Sequence, residues 1–145
     1  MNIVDCFMYF DEDMILDIRL NMLDKYVSHF IICEANFNHN GTKRDLRFEI
    51  NNFQKFRKKI TYIPLDKQPD NLRIIKQDET IVVKNSKILD NALLRENFQR
   101  NFLQNKIKDF NEDDLIIISD VDEIPNLQNF KYKNKITFFE QKMFY

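Results

Sequence analysis

The sequence predicts an α/β domain with a mostly parallel sheet flanked by helices and right-handed crossovers. Three observations predict it. Short apolar runs of strand length alternate with stretches in which apolar residues recur every three to four positions. One run, Leu115 to Ile118, consists of four consecutive branched apolar residues, the composition of a strand buried on both faces. The 145 residues suffice for one compact domain, residues 1–145, and are too few for two comfortable ones.

The elements follow in chain order. Ile3 to Phe10 is an apolar run of strand length, and the acids Asp11 to Asp13 then open a helix over Met14 to Tyr26. Its stripe of Ile15, Ile18 and Met22, widened by Leu16, Leu20 and Leu23, has helical spacing. Phe30 to Cys33 is a second strand, followed by a polar loop, Asn36 to Asp45, that holds the only glycine, Gly41. Asn52 to Lys59 reads as a short helix and Ile60 to Leu65 as a strand closed by Pro64 and Pro69. Asp66 to Ser86 reads as an irregular excursion, with one short strand or turn at Ile81 to Val83. Asp90 to Asp109 is the strongest helix, with Asp90 as its cap and Leu94, Phe98 and Phe102 recurring every four residues. After Leu115 to Ile118 comes Ser119-Asp120-Val121-Asp122-Glu123, then a turn of helix past Pro125 and a last strand at Ile136 to Phe139.

Composition excludes several classes of function. Charge is balanced, with 22 basic and 23 acidic residues, so no global field attracts nucleic acid or an anionic membrane. The Lys-rich stretch Lys55 to Lys59 is read as a solvated helix face. No apolar run approaches the roughly 20 residues of a transmembrane span, and Met1 to Phe10 lacks a basic signal-peptide start. The chain therefore reads as intracellular, in the cytoplasm. Cys6 and Cys33 lack the spacing of a redox pair or a zinc knuckle and are expected as buried thiols. His29 and His39 have no zinc-site spacing either and read as structural or solvated. A single glycine rules out glycine-rich dinucleotide and phosphate loops.

The chemistry-bearing pattern is Asp120-Val121-Asp122. In extended chain, residues two apart point to one side, so two carboxylates can meet one divalent cation. Hard oxygen ligands suit Mg2+ or Mn2+, and a cation held by one or two carboxylates keeps positions open for a diphosphate. The spacing alone is weak, because a chain this rich in aspartate yields about one or two such pairs by chance. The other pair, Asp11 and Asp13, is explained by helix capping and dipole placement. In a parallel sheet, ligands sit beyond the carboxyl ends of the strands, and Glu34 and the Asp120 to Glu123 cluster both end strands, so they are expected to converge on one crevice.

Three ordered stretches add to this. Asp5-Cys6-Phe7 through Phe10, Glu12 and Ile18-Arg19-Leu20; Phe30 to Asn36; and Ile117 to Pro125 together resemble glycosyltransferase family seventeen, the β-1,4-mannosyl-glycoprotein N-acetylglucosaminyltransferase group. Gly41 with Leu46-Arg47-Phe48, and Arg95 to Asn101, add weaker likeness. The resemblance implies a GT-A-like fold, a UDP-sugar donor such as UDP-GlcNAc, a glycan acceptor, Mn2+ or Mg2+, and inversion at the anomeric carbon. By position, Asp120 and Asp122 would hold metal and diphosphate, and Glu34 and Asn36 would face the nucleoside. Arg95 and Arg100 offer guanidinium forks for phosphate or carboxylate. Glu96 lies four residues before Arg100, which equally suits an ion pair on an exposed helix. Glu123 is either an outer partner of the metal or a solvated turn residue.

The chain ends soon after its Asp-x-Asp, whereas the family domain continues. The expectation is a C-terminally truncated donor-binding portion, with the acceptor side and the general base elsewhere, in one reading on a partner chain. The loop Asn36 to Asp45 also lacks the prolines of the family's version. Two alternatives stand beside the transferase. One is a binding module or inactive remnant that holds UDP without turnover. The other is an aspartate-based phosphohydrolase, disfavoured because Ile124 occupies the place of its threonine.

Overall fold

The computed structural model describes residues 1–142. Four strands, β1 (Ile3–Tyr9), β2 (His29–Ala35), β3 (Ile60–Leu65) and β4 (Leu115–Asp120), form one sheet in the order β3-β2-β1-β4. All three pairings are parallel. The chain builds outward from β1 through β2 to β3 and then crosses back to place β4 on the other side of β1. The fold is thus the α/β parallel sheet that the sequence predicts.

Strand alternation sorts the apolar side chains onto two faces. Phe7, Tyr9, Phe30 and Ile32 pack with Leu16, Leu20 and Leu23 of α1 (Asp13–Leu23) and with Phe53 and Phe56 of a 3-10 segment, Ile50–Phe56. Cys6, Ile31, Cys33 and Ala35 face the other way, against Leu103, Phe98 and Phe102 at the end of α2 (Ile81–Phe102) and Ile107 of α3 (Gln104–Ile107). Each fully buried Leu, Ile or Phe contributes about 1.5–3 kcal/mol, so this two-sided burial fixes the register of the central strands.

Several expectations are corrected. Ile81 to Val83 is neither strand nor turn but the first turn of α2, and Asp90 lies inside that helix rather than capping it. Thr80 is the N-cap, its hydroxyl accepting from the Val83 amide. The core-facing period is lost here because Ile81, Val82, Ile88, Leu89 and Leu93 all point outward. The helix breaks at Leu103 rather than continuing to Asp109, with the Leu103 amide bonding to the Arg100 carbonyl. The short helix read at Asn52 to Lys59 is a 3-10 segment shifted toward the N-terminus, Ile50–Phe56, with a turn over 57–59. The acids before α1 make no side-chain cap: Glu12 is the N-cap residue, and Asp13 instead accepts from the Tyr9 hydroxyl at 2.6 Å.

Past β4 two further corrections apply. No helical turn follows Pro125; a reverse turn over 127–130 takes its place, with Asn129 at φ 61°, a left-handed conformation that Asn tolerates. Ile136 to Phe139 forms no strand, because no neighbour among the described residues pairs with it, and Ile136 and Phe138 are left 74% and 89% exposed.

Candidate functional site

The order β3-β2-β1-β4 places the topological switch between β1 and β4, where successive connections leave in opposite directions and open a crevice at the strands' carboxyl ends. A cleft of about 740 Å³ lies there, lined by Met8, Tyr9 and Phe10 from β1 and its end, Glu12 and Ile15 from α1, His39, Glu96 and Gln99 from the opposite side, and Asp120, Val121 and Asp122. Its charged wall is acidic, with Glu12, Glu96, Asp120 and Asp122. Such a wall attracts a cation.

The two aspartates reach the cleft by different routes. Asp120 is the last residue of β4, in register with Met8 of β1, and Asp122 belongs to the turn that follows. They share one cleft because the chain folds back at Val121, whose side chain is buried at 7% exposure, and not because they alternate along a strand. Glu123 closes this turn. Its carboxylate accepts from the Asp120 amide at 3.1 Å, and its own amide donates to the Asp120 carbonyl.

Arg100 forms the helix-surface ion pair with Glu96 that its spacing suggests, and a second pair besides. It reaches Glu96 at 3.3 Å, one helical turn back, and Asp120 at 2.9 Å across the cleft. Its guanidinium therefore sits beside the Asp120 carboxylate.

Glu34, Asn36 and Arg95 are placed elsewhere. Glu34 lies at the same sheet edge as Asp120, but β1 separates the two, and its carboxylate is fully buried beneath the loop after β2. Its oxygens accept from the amides of Arg47 and Phe48 at 2.8 and 3.0 Å and from the Tyr62 hydroxyl at 2.9 Å. They also pair with Arg44 at 3.1 Å. The carboxylate thus clamps the loop and presents no oxygen to the cleft, so Glu34 and the Asp120 turn do not form one crevice. Burial, and next the Glu34 bond, push the Tyr62 hydroxyl pKa up. Asn36 uses its backbone to tie Leu65 and Arg44.

Arg95 is 8% exposed and serves the same loop. Its Nε donates to Gln68 at 2.7 Å and its Nη1 to the His39 carbonyl at 3.0 Å. Gly41 packs against it with φ 89°, and a Cβ there would stand 2.5 Å from Nη2. The positive φ favours glycine at this position, and any added Cβ would also displace the end of the Arg95 side chain.

Sequence reasoning missed Glu12, His39 and Gln99 as lining residues. It also missed a buried polar stripe on α2, Asn91, Arg95 and Gln99, spaced by four. Each of these bonds to main chain outside α2: Asn91 to the Arg73 amide and carbonyl, Arg95 to the His39 carbonyl and Gln99 to the Cys33 carbonyl. The i, i+4, i+8 recurrence of polar residues on the face continued by Leu103 was the available signal.

Among the described residues, no group of three His, Cys, Asp or Glu side chains forms a closed metal site. Asp120 and Asp122 give a two-carboxylate, hard-oxygen set open to solvent, a donor set that fits Mg2+ or Mn2+ shared with a ligand's oxygens.

The model of glycosyltransferase family 17 matches residues 1–144. The chain belongs to glycosyltransferase family 17. It is 32% identical over 119 residues to the human β-1,4-mannosyl-glycoprotein 4-β-N-acetylglucosaminyltransferase and equally to the rat enzyme of that name. The mouse enzyme is 31% identical over the same length. These alignments cover 77% of this chain and 19% of each relative, so the chain spans about a fifth of the length of the curated relatives it matches. No solved structure matches it.

Proposed function

We propose that this family 17 chain binds a UDP-sugar, with UDP-GlcNAc as the donor, through a divalent cation at Asp120 and Asp122, and takes part in inverting transfer to a glycan acceptor. The observation that carries the reading is the presence of both aspartates on one acidic cleft at the β1/β4 switch point of a family 17 sheet. A bound Mn2+ or Mg2+ supplies positive charge to the diphosphate leaving group. Asp120 and Asp122 orient that charge, and Arg100, 2.9 Å from Asp120, offers a second cationic partner to the same phosphate oxygens. Phe10, just past β1 and 37% exposed, adds aromatic surface to the cleft. These roles are binding and orientation.

Titration calorimetry of UDP with and without Mn2+ tests the reading. Wild type is expected to bind UDP in a Mn2+-dependent manner, and Asp120→Ala and Asp122→Ala each to weaken that binding about tenfold or more, as loss of a charged metal ligand does. No binding by wild type, or undiminished binding by both variants, sinks the proposal. Release of UDP from UDP-GlcNAc separates transfer from binding alone: a rate that depends on Asp122 supports transfer, and binding without release leaves a donor-binding module.

A further inference from the structure

Directly behind the carboxylate turn lies a buried cation. Arg19, on the inner side of α1, is 0% exposed, as is Asp5 on β1. Asp5 accepts a two-pronged pair from Arg19, Nε to Oδ2 at 2.8 Å and Nη2 to Oδ1 at 2.7 Å. The guanidinium runs over the Phe7 ring, 4.5 Å from its centroid, toward the carboxyl end of the sheet. There Nη2 donates to Ser119 Oγ at 2.7 Å. Nη1 donates to three backbone carbonyls of the turn, those of Asp120 at 2.7 Å and of Val121 and Glu123 at 3.1 Å each. Every N–H of the guanidinium is engaged, with the two protons of Nη1 shared among three acceptors.

Stability alone does not account for this arrangement. A buried ion pair gains little over a well-packed apolar pair of the same volume, because both charges must be stripped of water. An apolar pair, however, cannot gather three carbonyls from a four-residue turn onto one point. With the carbonyls of Asp120, Val121 and Glu123 drawn inward, the Val121 side chain enters the core, and Asp120 and Asp122 are left lining the cleft. The parallel register supports this geometry. Asp5 pairs with Ile117 and Phe7 with Ser119, so Asp5 and Ser119 share one face of the sheet two positions apart, a gap that one guanidinium spans.

We propose that Arg19, held by Asp5, is the positioning residue of the Asp120–Asp122 turn: it sets the turn conformation that aims both carboxylates at one cation. This rests on the reading that Asp120 and Asp122 hold the metal.

The test compares full-length wild type with Arg19→Lys and uses two probes, Mn2+ with UDP by calorimetry and metal-free uridine by ligand-observed NMR. An ammonium keeps the charge beside Asp5 but cannot span Asp5, Ser119 and three carbonyls. The expected result is uridine binding within twofold of wild type and Mn2+-dependent UDP binding about tenfold weaker, with an unchanged far-UV circular dichroism spectrum. Equal binding of both probes by variant and wild type overturns the proposal, as does parallel loss of both, which marks a general structural role. If Arg19→Lys fails to fold, Ser119→Ala decides. That change leaves the Asp5 pair intact and is expected to weaken Mn2+–UDP about threefold with uridine unchanged; no weakening, or equal weakening of uridine, overturns the proposal. Absence of Mn2+-dependent UDP binding in wild type fails the parent reading itself, and the proposal with it, whereas wild-type binding with an unaffected Arg19→Lys fails only the inference about Arg19.

Discussion

Glu34→Gln distinguishes a ligand-facing carboxylate from a structural one. Glu34 is 0% exposed, and its Oε1 serves the Arg47 amide and Arg44, while Oε2 serves the Phe48 amide and the Tyr62 hydroxyl. In the glutamine variant one oxygen becomes an NH2 group. Whichever side it takes, it meets a backbone N–H, a donor facing a donor that no rotation relieves. The Arg44 guanidinium, whose side chain is 9% exposed, also loses its carboxylate while keeping the Ala35 carbonyl at 3.0 Å. Breaking a buried pair by neutralising one partner costs about 3–5 kcal/mol. With a urea m-value of roughly 2 kcal/mol/M, a loss of this size shifts the unfolding midpoint down by about 2 M. Urea titration followed by circular dichroism measures the shift, and calorimetry gives UDP affinity for the folded variant. A midpoint within about 0.5 M of wild type, a difference of only about 1 kcal/mol, would refute the clamp. Unchanged stability with weakened UDP binding would instead put Glu34 on the nucleoside.

Two further outcomes follow from the same geometry. Gly41→Ala is expected to cost about 1–3 kcal/mol, because φ 89° strains any L side chain and the added Cβ meets the Arg95 guanidinium at 2.5 Å; thermal melts and faster proteolysis within residues 36–48 would register it, and a melt like that of wild type would contradict it. Burial pushes the thiols of Cys6 and Cys33 up to about 12 from 9.0, so both stay protonated in the folded protein and should resist a disulfide reagent at pH 8 until the chain is unfolded. Because their folded pKa values lie above the unfolded ones, their contribution to stability is complete below pH 9 and is lost as pH rises from about 9 to 12. Cys6→Ala/Cys33→Ala should therefore show a shallower loss of stability over that range, and an identical slope would count against buried neutral thiols.

The sequence by itself determined the strands and the parallel sheet they form. Ile3 to Phe10, Phe30 to Cys33, Ile60 to Leu65 and Leu115 to Ile118 all read as strands, and all four pair in the parallel sheet; the expected burial of Leu115 to Ile118 on both faces fails, because β4 is an edge strand that buries Ile117 and leaves Ile118 48% exposed. It also placed Asp120 at the end of a strand and Asp122 just beyond it, at the loop edge of the sheet. What failed was local periodicity wherever burial did not enforce it. Ile81 to Val83 looked like a strand because its apolar residues face outward on a helix, and Ile136 to Phe139 had the composition of a strand but no partner to pair with. The fate of Glu34 and Arg95 was decided only by tertiary structure. A carboxylate at a strand end suits a ligand or a loop equally well, and only the arrival of Arg44, Arg47, Phe48 and Tyr62 around Glu34 chose the loop. Arg19 shows the same limit: fourteen residues from Asp5 and a hundred from Ser119, it became the anchor of the aspartate turn through the β1/β4 pairing, a contact between chain segments that no local pattern encodes.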